Sequence, residues 1–120
     1  MNEKYNIIPT LQFQKDIEYY YRKKKYKNIE EDIDSILEKL ENGVFVGDEI
    51  QNIRLPQDEN VYKVRAVNSS LNVGKSNGYR LIYYVVKNDK DIYLLTIYSK
   101  KDLENIDNKE VVRLIKLYCI

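Results

Sequence analysis

Three apolar runs follow one another in the second half of the chain: YKVRAVN from Tyr62, GYRLIYYVVKN from Gly78 and IYLLTIYSK from Ile92. Each is rich in tyrosine and β-branched residues and is bounded by polar segments containing glycine or asparagine, which is the composition of strands. Only Lys87-Asn88-Asp89-Lys90-Asp91 separates the last two, a spacing that predicts an antiparallel hairpin between residues 79–86 and 92–99. A sheet built this way has an apolar face that must be covered. No other feature restricts the possible folds as much.

The cover is written upstream. Tyr5 to Ile8 reads as a brief first strand ended by Pro9, which cannot donate to a ladder. Thr10 then predicts the cap of a helix running to about Tyr26, with Phe13, Ile17 and Tyr20 on its inner stripe. Its last turn, Arg22-Lys23-Lys24-Lys25, sits at the negative end of the helix dipole and reads either as a solvated end or as a nucleic-acid contact. Asn28 with Glu31 has the form of a capping box for a second helix on Ile29, Ile33, Ile36, Leu37 and Leu40, closed by Asn42-Gly43. Residues 43–60 are expected to be loop, with a short helical turn near 48–52. Asp107 with Glu110 predicts a final helix presenting Val111, Val112, Ile115 and Tyr118. The order β-αα-βββ-α describes a single α+β domain over residues 1–120, a helical hairpin packed on an antiparallel β-sheet with a C-terminal helix.

Charge is distributed unevenly. Residues 61–101 hold eight lysines or arginines and two acids, Asp89 and Asp91, while the whole chain sums to +1. The chain has no histidine and one cysteine, Cys119, which removes histidine-based triads, histidine zinc sites and two-histidine ribonuclease chemistry. Cys119 among Leu117, Tyr118 and Ile120 reads as a packing residue or frayed end. No apolar run approaches the ~20 residues of a membrane span, and MNEKYNIIPT has no long apolar stretch, so a cytoplasmic location is expected. GKS at Gly74 to Ser76 is not a phosphate loop, because Ser69 stands where that motif needs glycine and a strand follows.

Period-two alternation puts Lys63 and Arg65 on one face of their strand, and Arg80, Lys100 and Lys101 lie on or just after the next two. Tyrosines such as Tyr98 lie beside these cations and offer rings on which a base can stack. Composition and periodicity leave two readings open, a surface that binds phosphate-rich partners and a solvated face.

In order, VYKVRAVNSS, GKSNGYRLIYYVV and IYLLTIYSKKDLENI resemble the RelE/ParE toxin superfamily, above all its RelE and HigB-like branch. These are the toxin halves of type II toxin–antitoxin systems. The resemblance covers residues 61–106 and rests on the lysine-bearing strand, the G-Y-R element opening the next and the I-Y-S-K element closing the last. It implies a RelE-like fold and a ribosome-dependent mRNA endoribonuclease with no metal or other cofactor. The implied partners are a cognate antitoxin, the ribosome and mRNA, with no membrane. Family members promote attack of a ribose 2′-OH on the adjacent phosphate, leaving a cyclic phosphate. Cations and a desolvated lysine can run that chemistry without histidine.

By position, Lys63 and Arg65 match the family's basic pair, Lys63 as proton acceptor and Arg65 as phosphate binder. Arg80 matches the arginine that stabilises the transition state, and Lys101 a second such cation. Lys75 and Lys100 match RNA-positioning residues. Asp107 stands where the branch carries a stacking C-terminal tyrosine, which leaves Tyr98 or Tyr118 for that role. Two alternatives share the fold. One is a ParE-like inhibitor of DNA gyrase without ribonuclease activity, a branch that lacks the catalytic cations; the other is a non-toxic binding module.

Overall fold

The computed structural model describes residues 4–119; residues 1–3 and Ile120, which belong to terminal segments read above, lie outside the described residues. The elements in chain order are β1 (Asn6–Pro9), α1 (Leu11–Glu18) continued by a π-helical turn (Tyr19–Lys23), α2 (Ile29–Glu41), β2 (Asp48–Glu49), β3 (Glu59–Ala66), β4 (Tyr79–Val86), β5 (Asp91–Ser99) and α3 (Asn108–Tyr118). They form an α+β domain around one five-stranded sheet of order β1-β5-β4-β3-β2.

The sheet is mixed, not antiparallel throughout. β1 runs parallel to β5, with Ile7 opposite Ile92 and Pro9 opposite Leu94. The reason lies at Thr10, where the chain leaves β1 directly into α1. Its N–H donates to the Leu94 carbonyl at 3.1 Å and its hydroxyl to the same oxygen at 2.8 Å, while Thr10 Oγ1 accepts from Phe13 N at 3.3 Å. One residue therefore caps the helix and docks it on the sheet. A second difference lies in residues 43–60, where Asp48–Glu49 pair with Tyr62 and Lys63 as a two-residue edge strand in place of the expected helical turn. Gly47 makes this possible: its φ is +99°, and a Cβ there would come within 2.5 Å of the Lys63 carbonyl oxygen.

The first helix also ends earlier than its periodicity predicts. After Glu18 the backbone widens, and Lys24 N donates to the Tyr19 carbonyl at 3.3 Å. Tyr20 explains the change. Its hydroxyl accepts from Ser99 N at 2.8 Å, and its ring stacks on Tyr26 at 5.8 Å, so it is buried while Tyr19 and Tyr21 remain exposed. Asn28 does not cap α2 with its side chain; its amide donates instead to Ser69 Oγ at 3.1 Å. Asp107 does cap α3, accepting from Glu110 N at 2.9 Å.

Each face of the sheet has its own core. Against one face lies the helical hairpin, with Phe13, Tyr20, Ile29, Ile33 and Leu40 packed on Val64, Ala66, Tyr79, Leu81, Tyr83 and Ile97. Against the other lies α3, whose Val111, Leu114 and Ile115 cover Val61, Ile82, Tyr84 and Leu95. Cys119 joins this second core, and burial pushes its thiol up to about 12, which keeps it protonated and unreactive. Among the described residues, no helix is long and apolar enough to cross a membrane.

Candidate nucleic-acid interface

The second face is only partly covered. Val61, Lys63 and Arg65 alternate outward from β3, and α3 covers the row at Val61. The rows at Lys63 and Arg65 continue beyond it. Register places Arg65 opposite Arg80, and Arg80 opposite Tyr98, so a single row crosses three strands. The expected shared face of Lys63 and Arg65 is therefore present.

The two members of the arginine pair have different environments. Arg65 is exposed, and among the described residues it makes no hydrogen bond or ion pair. Arg80 is buried, with 5% of its surface accessible. Its Nη1 donates to the carbonyls of Lys75 at 3.0 Å and Tyr79 at 3.2 Å, and its Nη2 to that of Ser76 at 3.0 Å. These bonds use three of the five guanidinium N–H groups and leave two without a hydrogen bond among the described residues. Burial, and then the neighbouring Arg65 charge, push the Arg80 pKa below its ordinary value. Two cations facing each other across a strand pair repel, and an anion between them relieves that cost.

Lys63 is half-buried, and its amine donates to Asn105 Oδ1 at 2.9 Å. Asn105 lies in the segment between β5 and α3. An amide oxygen fixes the amine's direction without neutralising it, which a carboxylate partner would do. Lys63, Arg65 and Lys75 line one cleft of about 520 Å³ with Lys39, Asp32 and Asp48, at the edge where β2 stops and β3 continues. Among the described residues none of Lys63, Arg65, Lys75, Arg80 and Lys101 forms an ion pair with a carboxylate.

Lys100 and Lys101 do not line this cleft. They follow β5, where Lys100 N donates to the Gly78 carbonyl at 2.9 Å and so ties their turn to the loop that Arg80 grips. The Lys100 amine stands 3.9 Å from Glu104, and Lys101 is exposed. Tyr98 is not a stacking platform in this conformation. It is 6% exposed and packed into the α3 core, and its hydroxyl accepts from Ile106 N at 3.2 Å. Burial raises its pKa, so it stays a neutral phenol. Tyr118, the other candidate, is half-buried against the same core.

Asn105 and Lys39 had been missed as members of the site. Lys39 carried a weak signal as an outward position on a helix whose inner stripe was readable. Asn105 carried none, because its role depends on a contact with Lys63, 42 residues away. Compared with known proteins, the chain matches no family model and no curated sequence.

Proposed function

We propose that this protein is a metal-independent endoribonuclease of the RelE type, the toxin of a type II toxin–antitoxin system that cuts mRNA on the ribosome. The observation that carries the reading is the uncovered end of the second sheet face. There Lys63, Arg65 and Arg80 converge from adjacent strands, and no carboxylate pairs with any of them among the described residues.

In this reading Lys63 accepts the proton of the ribose 2′-OH as that oxygen attacks the adjacent phosphorus. The bond to the 5′ oxygen breaks, leaving a 2′,3′-cyclic phosphate and a 5′-hydroxyl that takes up a proton. Arg65 and the two free N–H groups of Arg80 bind the non-bridging oxygens, where negative charge grows in the transition state. Lys75 and Lys100 hold flanking phosphates, and Lys101, expected as a second transition-state cation, joins them in this reading because it lies off the Lys63–Arg65 cleft. The protein would act in the cytoplasm and be neutralised by a cognate antitoxin. The stacking role assigned to Tyr98 would require Ile106 and its loop to move off the ring.

The grip of Arg80 on three backbone carbonyls favours a second reading, in which the arginine is structural and the fold serves a ParE-like inhibitor of DNA gyrase. One experiment separates them. Purified protein is added to ribosomes programmed with a defined mRNA, and in parallel to a gyrase supercoiling assay. The ribonuclease reading expects cleavage with a cyclic-phosphate end, slowed about 10²-fold in Arg65→Ala. Intact mRNA together with inhibited supercoiling would overturn it.

A further inference from the structure

The basic turn at the end of the first helix lies outside the proposed catalytic row but beside it. Between Tyr19 and Asn28 the chain reads YYYRKKKYK, with five cations and no acid. The Tyr20 hydroxyl accepts from Ser99 N at 2.8 Å, and Lys24 Nζ lies 3.2 Å from Asp102 Oδ1, which straps this turn to the segment that carries Lys100 and Lys101. Those two links consume Tyr20 and Lys24, Tyr26 is buried, and the other four cations face water. Lys23 and Lys25 are exposed, and Arg22 makes only a 3.7 Å contact with Glu18.

Two rings stand among these charges. Tyr19 is 45% exposed and Tyr21 42%, high values for tyrosines in a chain that buries most of its own. Tyr19 is held edge-on against buried Tyr20 at 5.1 Å, and it lines a shallow cup of about 260 Å³ with three cations, Lys15, Arg22 and Lys23, and one acid, Glu18. Lys27 sits over the Tyr21 ring at 4.1 Å. Exposed rings interleaved with cations on a fixed backbone suit single-stranded nucleic acid, in which each nucleotide offers a base to stack and a phosphate to pair. An anionic membrane would also meet the charge, but the rings flank the cations and form no apolar wedge.

We infer that the Tyr19–Lys27 turn is a second RNA-binding surface, which receives the strand as it leaves the Arg65–Arg80 row past Lys101. The inference extends the proposed function and can be tested apart from it. The probes are 2′-O-methyl RNA strands, which cannot be cut by 2′-OH attack. One is about 4 nucleotides long and one about 16, the two ends of the usual single-strand site size. The triple variant Arg22→Gln, Lys23→Gln, Lys25→Asn spares the fold, since asparagine tolerates the left-handed φ of +64° at Lys25. Circular dichroism melting checks that it does.

The expected result is that the triple variant weakens only the long strand. The slope of log affinity against log salt should become shallower by about 2 for that strand. Tyr19→Ala should weaken it about fivefold or more. Unchanged long-strand binding, with Arg65→Ala weakening both strands, would overturn the second surface and leave the ribonuclease reading standing. Loss in the triple variant, with Arg65→Ala weakening neither strand, would keep the second surface and overturn the role of the sheet face. If the triple variant lost binding to phosphatidylserine vesicles while long-strand affinity held, a lipid partner would replace RNA.

Discussion

The two faces of the sheet divide the work of the chain. Under the helical hairpin, side chains are spent on burial: Tyr79, Leu81, Tyr83 and Ile97 are 0–1% exposed, and tyrosines stack or meet edge-on through Tyr20, Tyr26 and Tyr79. Under α3, burial stops partway along the strands, and the remainder of that face holds Lys63, Arg65 and Arg80. Covering one face completely supplies the stability that lets the other keep facing cations. The comparison teaches that charge here follows coverage: cations accumulate where no helix lies, on strands whose opposite sides are among the best-packed parts of the molecule.

The contrast can be broken most forcefully from the buried side. Tyr83→Ala removes a ring stacked on Tyr62 at 5.2 Å and a hydroxyl that donates to the Val46 carbonyl. It should destabilise the fold by about 3–5 kcal/mol, the range for truncating a buried aromatic, read from denaturant melts. On the open side, Arg65→Ala should leave the melt unmoved and cost about 10²-fold in ribosome-dependent cleavage, as for one lost oxyanion donor. Equal loss of stability from both substitutions would erase the division of labour.

Arg80 sits at the boundary and should show both effects. Arg80→Ala leaves three carbonyls of the 75–79 segment without their donor and should cost about 1–3 kcal/mol in stability besides activity. A variant that melts like the parent would place Arg80 wholly on the functional side.

The smallest effect is a pH dependence. Asp16 anchors α1 to β5, accepting from the Thr96 hydroxyl, from Ile97 N at 3.2 Å and from Gln12 Nε2 at 2.9 Å. Burial raises its pKa above the ordinary 3.8 and outweighs those bonds. Between the ordinary and the raised value the native state binds more protons than the unfolded chain, so this group's contribution falls as pH rises through that window. Asp16→Asn should flatten that decline in pH-dependent melts. A steeper decline in the variant would reverse the sign assigned to Asp16.

What could be read in the sequence was what local rules decide. Thr10 and Asp107 were recognisable caps because a cap depends on residues three positions away. The shared face of Lys63 and Arg65 followed from strand alternation alone. The π turn was not readable, since it is set by Tyr20 reaching Ser99, nor was the side-chain use of Asn28, which turns to Ser69. Tyr98 and Arg80 looked alike in sequence to exposed strand residues. Their burial comes from Ile106 folding back and from the carbonyls of the 75–79 segment closing around the guanidinium, neither of which leaves a periodic trace.

The parallel pairing of β1 with β5 has a consequence for how the molecule is made. Asn6 meets Asp91, 85 positions further along the chain. Contacts this distant in sequence form late, because the entropy of closing so large a loop is spent before the contact rewards it. At a synthesis rate of about 5–20 residues per second, a nascent chain spends several seconds with its first strand made and the partner strand not yet translated. The helical hairpin then has no finished sheet to rest on. The basic face acquires its geometry only after β5 has emerged, so the chain cannot display that surface before Ser99 has been translated.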